Sequence, residues 1–172
     1  KNIFEVRNTD GVPFFSVERI YGIDKKTGEH VVGYGDRDRN GYLFASKGLN
    51  KEENYTYWHI NYDEPANMQF KEVEEINGLK VYRYETNYHA DQTENLGHLK
   101  GVGETRGVNL DINLQQWIEP TTGRMIKYED KTIAYYYDLE TGERLFPWNK
   151  FNNKFEESSI EEQVKIAKTE KI

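Results

Sequence analysis

The stretch Trp117-Ile118-Glu119-Pro120-Thr121-Thr122-Gly123-Arg124 puts an aromatic, a carboxylate, hydroxyls, a glycine and an arginine side by side. That mixture suits an active-site loop, and it also suits a turn. The chain itself decides between them. The pattern acid-x-x-Thr-Gly-charged recurs as Asp24-Lys25-Lys26-Thr27-Gly28-Glu29 and as Asp138-Leu139-Glu140-Thr141-Gly142-Glu143, each time between strand-like segments. A type I turn followed by glycine in the left-handed region is a common hairpin connection. The leading acid accepts hydrogen bonds from the turn amides, and the glycine takes the positive φ. Pro120 suits the first corner, where its fixed φ matches. One catalytic loop is not expected three times at unrelated places, so the motif predicts three hairpins.

Working outward from these turns, strands are expected at Ile3–Val6, Phe14–Tyr21, His30–Tyr34 and Asn54–Ile60. An extended segment Met68–Glu74 runs into Asn77-Gly78, the strongest short hairpin signal, and Lys80–Tyr84 returns from it. Residues 86–107 are polar with little periodicity and read as a long loop, with a short helix near Glu94–Leu99. Strands resume at Val108–Glu119, Arg124–Glu129 and Lys131–Asp138. Ser158 or Ser159, three residues before Glu161 and Glu162, can open a capping box. Ile160, Val164, Ala167 and Lys171 then share one helical face. The expected class is α+β, a mainly antiparallel β-sheet built from hairpins with a C-terminal helix. A β-rich extracytoplasmic domain is expected over 1–155 and the helix over 156–172.

Composition bounds the function. At 172 residues the chain suits one domain with a real core. Its formal charge is −7 and its Lys and Arg are scattered, so a phosphate-backbone footprint, and with it nucleic acid as a partner, is not expected. There is no cysteine, which removes disulfides, thiol nucleophiles and thiolate metal sites. No apolar run approaches the ~20 residues that span a bilayer. The chain starts at Lys1 and stops at Ile172 inside a helical pattern, which points to an excised piece with signal or membrane segments outside it.

Three constellations are candidates for chemistry. Asp36, Asp38 and Asn40, with Gly41 following, match the start of an EF-hand calcium loop, where alternate oxygen ligands wrap a hard cation. Lys47 stands where a bidentate Glu is needed, so calcium would require a distant carboxylate such as Glu52 or Glu53; the alternative is an exposed polar loop. His89, Asp91 and His98 could ligate a metal, although scattered histidines more often pack or face solvent. Tyr55, Tyr57, Trp58 and Tyr62 could line a groove for a hydrophobic ligand, or pack on a sheet face. Asn54-Tyr55-Thr56 is a glycosylation sequon. No nucleophile elbow, phosphate-binding glycine loop or singled-out carboxylate pair is present, so no catalytic residue is expected and the chain reads as a non-enzyme.

The order Gly41-Tyr42-Leu43-Phe44, Glu53-Asn54-Tyr55-Thr56-Tyr57-Trp58, Asn77-Gly78-Leu79-Lys80-Val81-Tyr82-Arg83-Tyr84 and Trp117 to Arg124 resembles the PorA-like family of membrane-anchored bacterial and archaeal proteins. More distantly, a Tyr-Arg-Tyr strand followed by an acid-Pro-x-Thr-Gly turn is similar to class B scavenger receptor ectodomains. The resemblance implies an antiparallel β-rich, extracytoplasmic, membrane-anchored domain at the cell surface. It implies a non-catalytic role in binding a lipid or other hydrophobic ligand, or an envelope protein partner. The alternative is a structural cell-surface or assembly module stabilised by calcium, with no other cofactor.

Overall fold

The computed structural model describes residues 1–7, 9–51 and 53–171, with side chains described for all of these but Phe4, Val6 and Phe14. The chain is 56% strand with one C-terminal helix. Two small hairpins come first: β1 (Asn2–Arg7) with β2 (Pro13–Arg19), and β3 (Tyr21–Ile23) with β4 (His30–Gly35). A six-stranded antiparallel meander follows, in which each strand pairs with the next: β5 (Tyr55–His59), β6 (Glu64–Ile76), β7 (Leu79–Asp91), β8 (Arg106–Glu119), β9 (Arg124–Asp138) and β10 (Arg144–Lys154). Helix α1 (Glu157–Glu170) closes the chain.

The Thr-Gly motifs are hairpin turns at all three positions. Gly28, Gly123 and Gly142 have φ of 77, 71 and 72°. Each amide closes the turn onto the carbonyl of the leading acid, at 2.8, 2.9 and 2.8 Å. The acid side chain caps from within: Asp24 accepts from Lys26 and Thr27, Glu119 from Thr122, and Asp138 from Glu140 and Thr141. Asn77-Gly78, with φ of 48 and 73°, makes the tight β6–β7 turn.

Along β8 the side chains sort by the two-residue period of a strand. Val108, Leu110, Ile112, Leu114 and Ile118 enter the main core, while Asn109, Asp111, Asn113 and Gln115 face outward. Trp117 continues the outward set at the turn end of the strand, where that second face becomes apolar. There it packs with Leu79, Val81 and Ile126 under Ile160, Val164 and Ala167 of α1. The helix therefore covers only the turn end of that face. The remainder is a polar surface whose ion pairs run across strands, with Arg83 held by Glu72, Glu74 and Glu85, and Asp111 by His89 and Arg144.

The sheet curls strongly. With strands about 4.8 Å apart, β5 and β9 would stand roughly 19 Å apart in a flat meander. Yet His59 Nε2 on β5 lies 3.2 Å from Asp130 Oδ2 on β9. The bend lies in β6, whose first half pairs with β5 and whose second half pairs with β7, with a register shift between Phe70 and Glu72. Strand β5 is thereby folded over the concave face.

Several sequence expectations are corrected. Residues 86–91 continue β7 and belong to no loop; their outward residues are polar because that face is solvated, and Asn87 and His89 pair with Asn113 and Asp111 of β8. Residues 93–99 form successive turns without a helix. Glu129-Asp130-Lys131 does not break the strand, because Asp130 is buried inside a continuous β9. Strand β10 is implied by the hairpin expected at Asp138–Glu143, which sets no bounds for it; it runs over Arg144–Lys154. Helix α1 is capped at Glu156, which makes no side-chain capping bond, so no capping box forms at Ser158 or Ser159.

Candidate functional site

The concave face of the sheet and the N-terminal hairpins do not close on one another. Between them lies a cavity of about 1220 Å³, opening to solvent. Small-molecule pockets run to about 300–1,000 Å³, so this one can take a long or branched ligand. Ile3 and Val17 from the first hairpin form one wall, and Leu110, Met125 and Phe151 from β8, β9 and β10 form the other. The strand residues that line the cavity come from β1, β2, β5, β8, β9 and β10, because the curl brings β5 over the inward side of β8, β9 and β10. Trp148, stacked on Tyr136 at 5.8 Å, lines it with a buried indole N–H that has no hydrogen-bond partner among the described residues.

A polar network sits behind this apolar lining. His59 and Asp130 are both fully buried. The His59 ring nitrogens meet Tyr88 Oη at 2.5 Å and Tyr128 Oη at 3.0 Å. Thr132 donates to Asp130 at 2.7 Å and Asn61 at 3.3 Å. Burial alone would raise the Asp130 carboxyl, but the His59 hydrogen bond and charge, with Thr132 and Asn61, hold it below the ordinary aspartate range. Burial, reinforced by the Asp130 charge, pushes the phenols of Tyr57, Tyr62, Tyr88 and Tyr128 up, so all four stay neutral donors. Asn61 and Tyr128 also line the cavity and connect it to the network.

The four aromatic residues expected to form a ligand surface are not brought together: alternation along β5 sets Trp58 on the opposite face from Tyr55 and Tyr57, and only Tyr57 and Tyr62 reach the cavity. Tyr55 is core: it bonds Gln116 and meets Tyr84 edge-on at 5.0 Å. Trp58 faces the other way, donating to Asp63 at 2.8 Å with the guanidinium groups of Arg37 and Arg39 over its ring.

That Asp63 carboxylate is a separate hub. Arg39, itself buried, reaches it through two bonds of 2.8 and 3.1 Å, and Arg37 joins at 2.8 Å. The hub pins the Asp36–Asn40 loop to the β5–β6 turn. Within the loop Asp36 pairs with Arg39, Asp38 accepts from the Gly33 amide at 2.8 Å, and Asn40 is exposed. Glu53 is exposed beneath β5, and Glu52 lies outside the described residues. His89 pairs with Asp111, Asp91 with Tyr137, and His98 stacks on Phe15 at 3.9 Å, so those three are not brought together. Among the described residues no group of three or more His, Asp or Glu could hold a metal ion.

The His59–Asp130 pair had no sequence signal, since its members are distant in the chain and meet only through the curl. Alternation along Tyr55-Thr56-Tyr57-Trp58-His59 could have set His59 beside Tyr57 and Trp58 apart.

Among the described residues no helix is long and apolar enough to cross a membrane, which says nothing of crossing by strands. No curated protein matches the chain. A family model described as Porin PorA matches residues 6–172, and the chain therefore belongs to the porin PorA family, which marks it as a membrane- or envelope-associated protein.

Proposed function

We propose that this domain is a non-catalytic binding module that holds a hydrophobic ligand, a lipid of the envelope, in the cavity between the curled sheet and the N-terminal hairpins. The cavity carries the proposal. It is large, apolar and open, and an exposed apolar concavity of this size is a recognised mark of a binding site. Tyr57, Tyr62 and Trp148 add polar tips that could orient a ligand without the cost of burying a charge. An extracytoplasmic, membrane-tethered setting belongs to the proposal and is supported by the envelope character of the family.

The test is titration with an environment-sensitive apolar dye. Wild type is expected to enhance its fluorescence saturably. Val17→Arg and Phe151→Arg, which put a charge on opposite walls, are expected to weaken binding at least tenfold while retaining a cooperative melt. A wild type that does not bind the dye, or two folded variants that bind it as well as wild type, would remove the proposal.

A further inference from the structure

The chain is acidic overall, with 30 Asp and Glu against 23 Lys and Arg. The cavity lining inverts that balance. Its cations are Arg19, Lys25, Lys26, Lys47, Arg124 and Lys154, and the one carboxylate among its described residues is Glu170. Glu170 is already held by Arg124 at 2.6 and 3.0 Å. Arg19 is likewise engaged, by the Ile60 carbonyl and Asp63. Lys25, Lys26, Lys47 and Lys154 make no ion pair among the described residues, and all four are exposed.

These lysines are gathered by the fold. Leu43 N–H bonds the Gly28 carbonyl at 3.1 Å, joining the turn that carries Lys25 and Lys26 to the 43–47 loop. That loop lies on the Glu119–Arg124 turn: Leu49 N–H bonds the Pro120 carbonyl at 3.1 Å, and a Cβ on Gly123 would stand 2.7 Å from the Ser46 carbonyl oxygen. The Asp24 carboxylate is turned inward onto its own turn amides. Two segments, joined to each other and seated on the Glu119–Arg124 turn, thus present Lys25, Lys26 and Lys47 at one mouth of an apolar cavity, with Lys154 on the β10 side.

We propose that this lysine mouth is a head-group subsite, and that the cavity takes an amphiphile whose apolar chain enters it and whose carboxylate or phosphate is held by Lys25, Lys26 and Lys47. The inference rests on the cavity being a hydrophobic-ligand site. The charge complementarity selects the ligand: a neutral chain gains only burial, a cationic one is repelled, and an anionic one gains both burial and charge. Because the lysines are exposed, the electrostatic part is screened by salt while the burial part is not.

The experiment displaces the apolar dye with oleate, oleyl phosphate and oleyl alcohol, which share one chain and differ in the head, at low and high salt. Wild type is expected to prefer both anions over the alcohol by about tenfold at low salt, a gap that narrows at high salt. The triple variant Lys25→Glu, Lys26→Glu and Lys47→Glu is expected to abolish the preference and to keep the affinity for the alcohol. A wild type that binds anions and alcohol alike at both salt concentrations overturns the head-group subsite and leaves the cavity intact, as does a preference that survives charge reversal. If neither the dye nor any chain binds, the cavity reading itself falls and this inference falls with it. Preference for one anion over the other separates carboxylate from phosphate ligands.

Discussion

Replacing Gly123 by alanine tests the account of the motif on which the fold turns. Gly123 has φ of 71°, and an added Cβ would meet the Ser46 and Ala45 carbonyl oxygens at 2.7 and 2.8 Å. Gly142 occupies the equivalent position of the β9–β10 turn with φ of 72°, and nothing lies within 4 Å of its Cβ position. Both substitutions place an L-residue in the left-handed region, at about 1–2 kcal/mol. Only Gly123→Ala must also push back the 45–46 backbone, an overpacking cost of about 1–3 kcal/mol. Gly142→Ala should therefore lower stability by about 1–2 kcal/mol and Gly123→Ala by about 2–5 kcal/mol. At about 2–4 °C per kcal/mol for a chain of this size, calorimetry or a denaturant melt resolves the two. Equal losses in both variants would refute the claim that the 43–47 loop is seated on this turn, and with it the placement of Lys47 at the cavity mouth.

Other outcomes follow from the buried charges. Asp130→Asn should cost about 3 kcal/mol, since it weakens a fully buried pair with His59. Its pH dependence has a definite sign: the folded carboxyl lies below its ordinary value, so its stabilisation is complete above about pH 4 and is lost as pH falls through the folded value. The acid limb of a stability–pH curve should be shallower in Asp130→Asn; an unchanged limb would contradict the assignment. Asp63→Ala should cost about 3 kcal/mol, since it takes the two-bond partner from the buried Arg39 and leaves it Asp36 and the Ile20 carbonyl, and Asp63→Ala combined with Arg39→Met should recover part of that loss. Saturating calcium should leave Tm unchanged, because Asp36 and Asp38 are committed to Arg39 and to the Gly33 amide; a rise removed by Asp38→Ala would restore the calcium loop.

What could be read along the chain was what is local. The Thr-Gly turns and Asn77-Gly78 carry their conformation in residues that touch one another, and the apolar face of α1 is a periodicity of one element. The misjudged segments are those whose partners lie far away. Thr86–Asp91 alternates between a core-side set and an outward polar set, so its mean polarity resembles a loop until Asn113 and Asp111 are seen across the ladder. Asp130 looks like a break until His59 supplies its partner. Strand β10 carries Pro147 and several asparagines, which an edge strand tolerates because one side needs no ladder bonds. Tyr57 and Tyr62 were legible as candidates; the cavity was not, because it is the space left between a curled sheet and hairpins that no local pattern ties to it.

The most direct test of the central claim, that the curled sheet encloses a ligand site, is native mass spectrometry of the purified domain before and after organic extraction. The expected result is a species heavier than the 20.3 kDa chain that collapses to the bare mass on extraction, with a lipid in the organic phase. A bare monomer in both samples, from protein that also fails to take up added oleate, would contradict it.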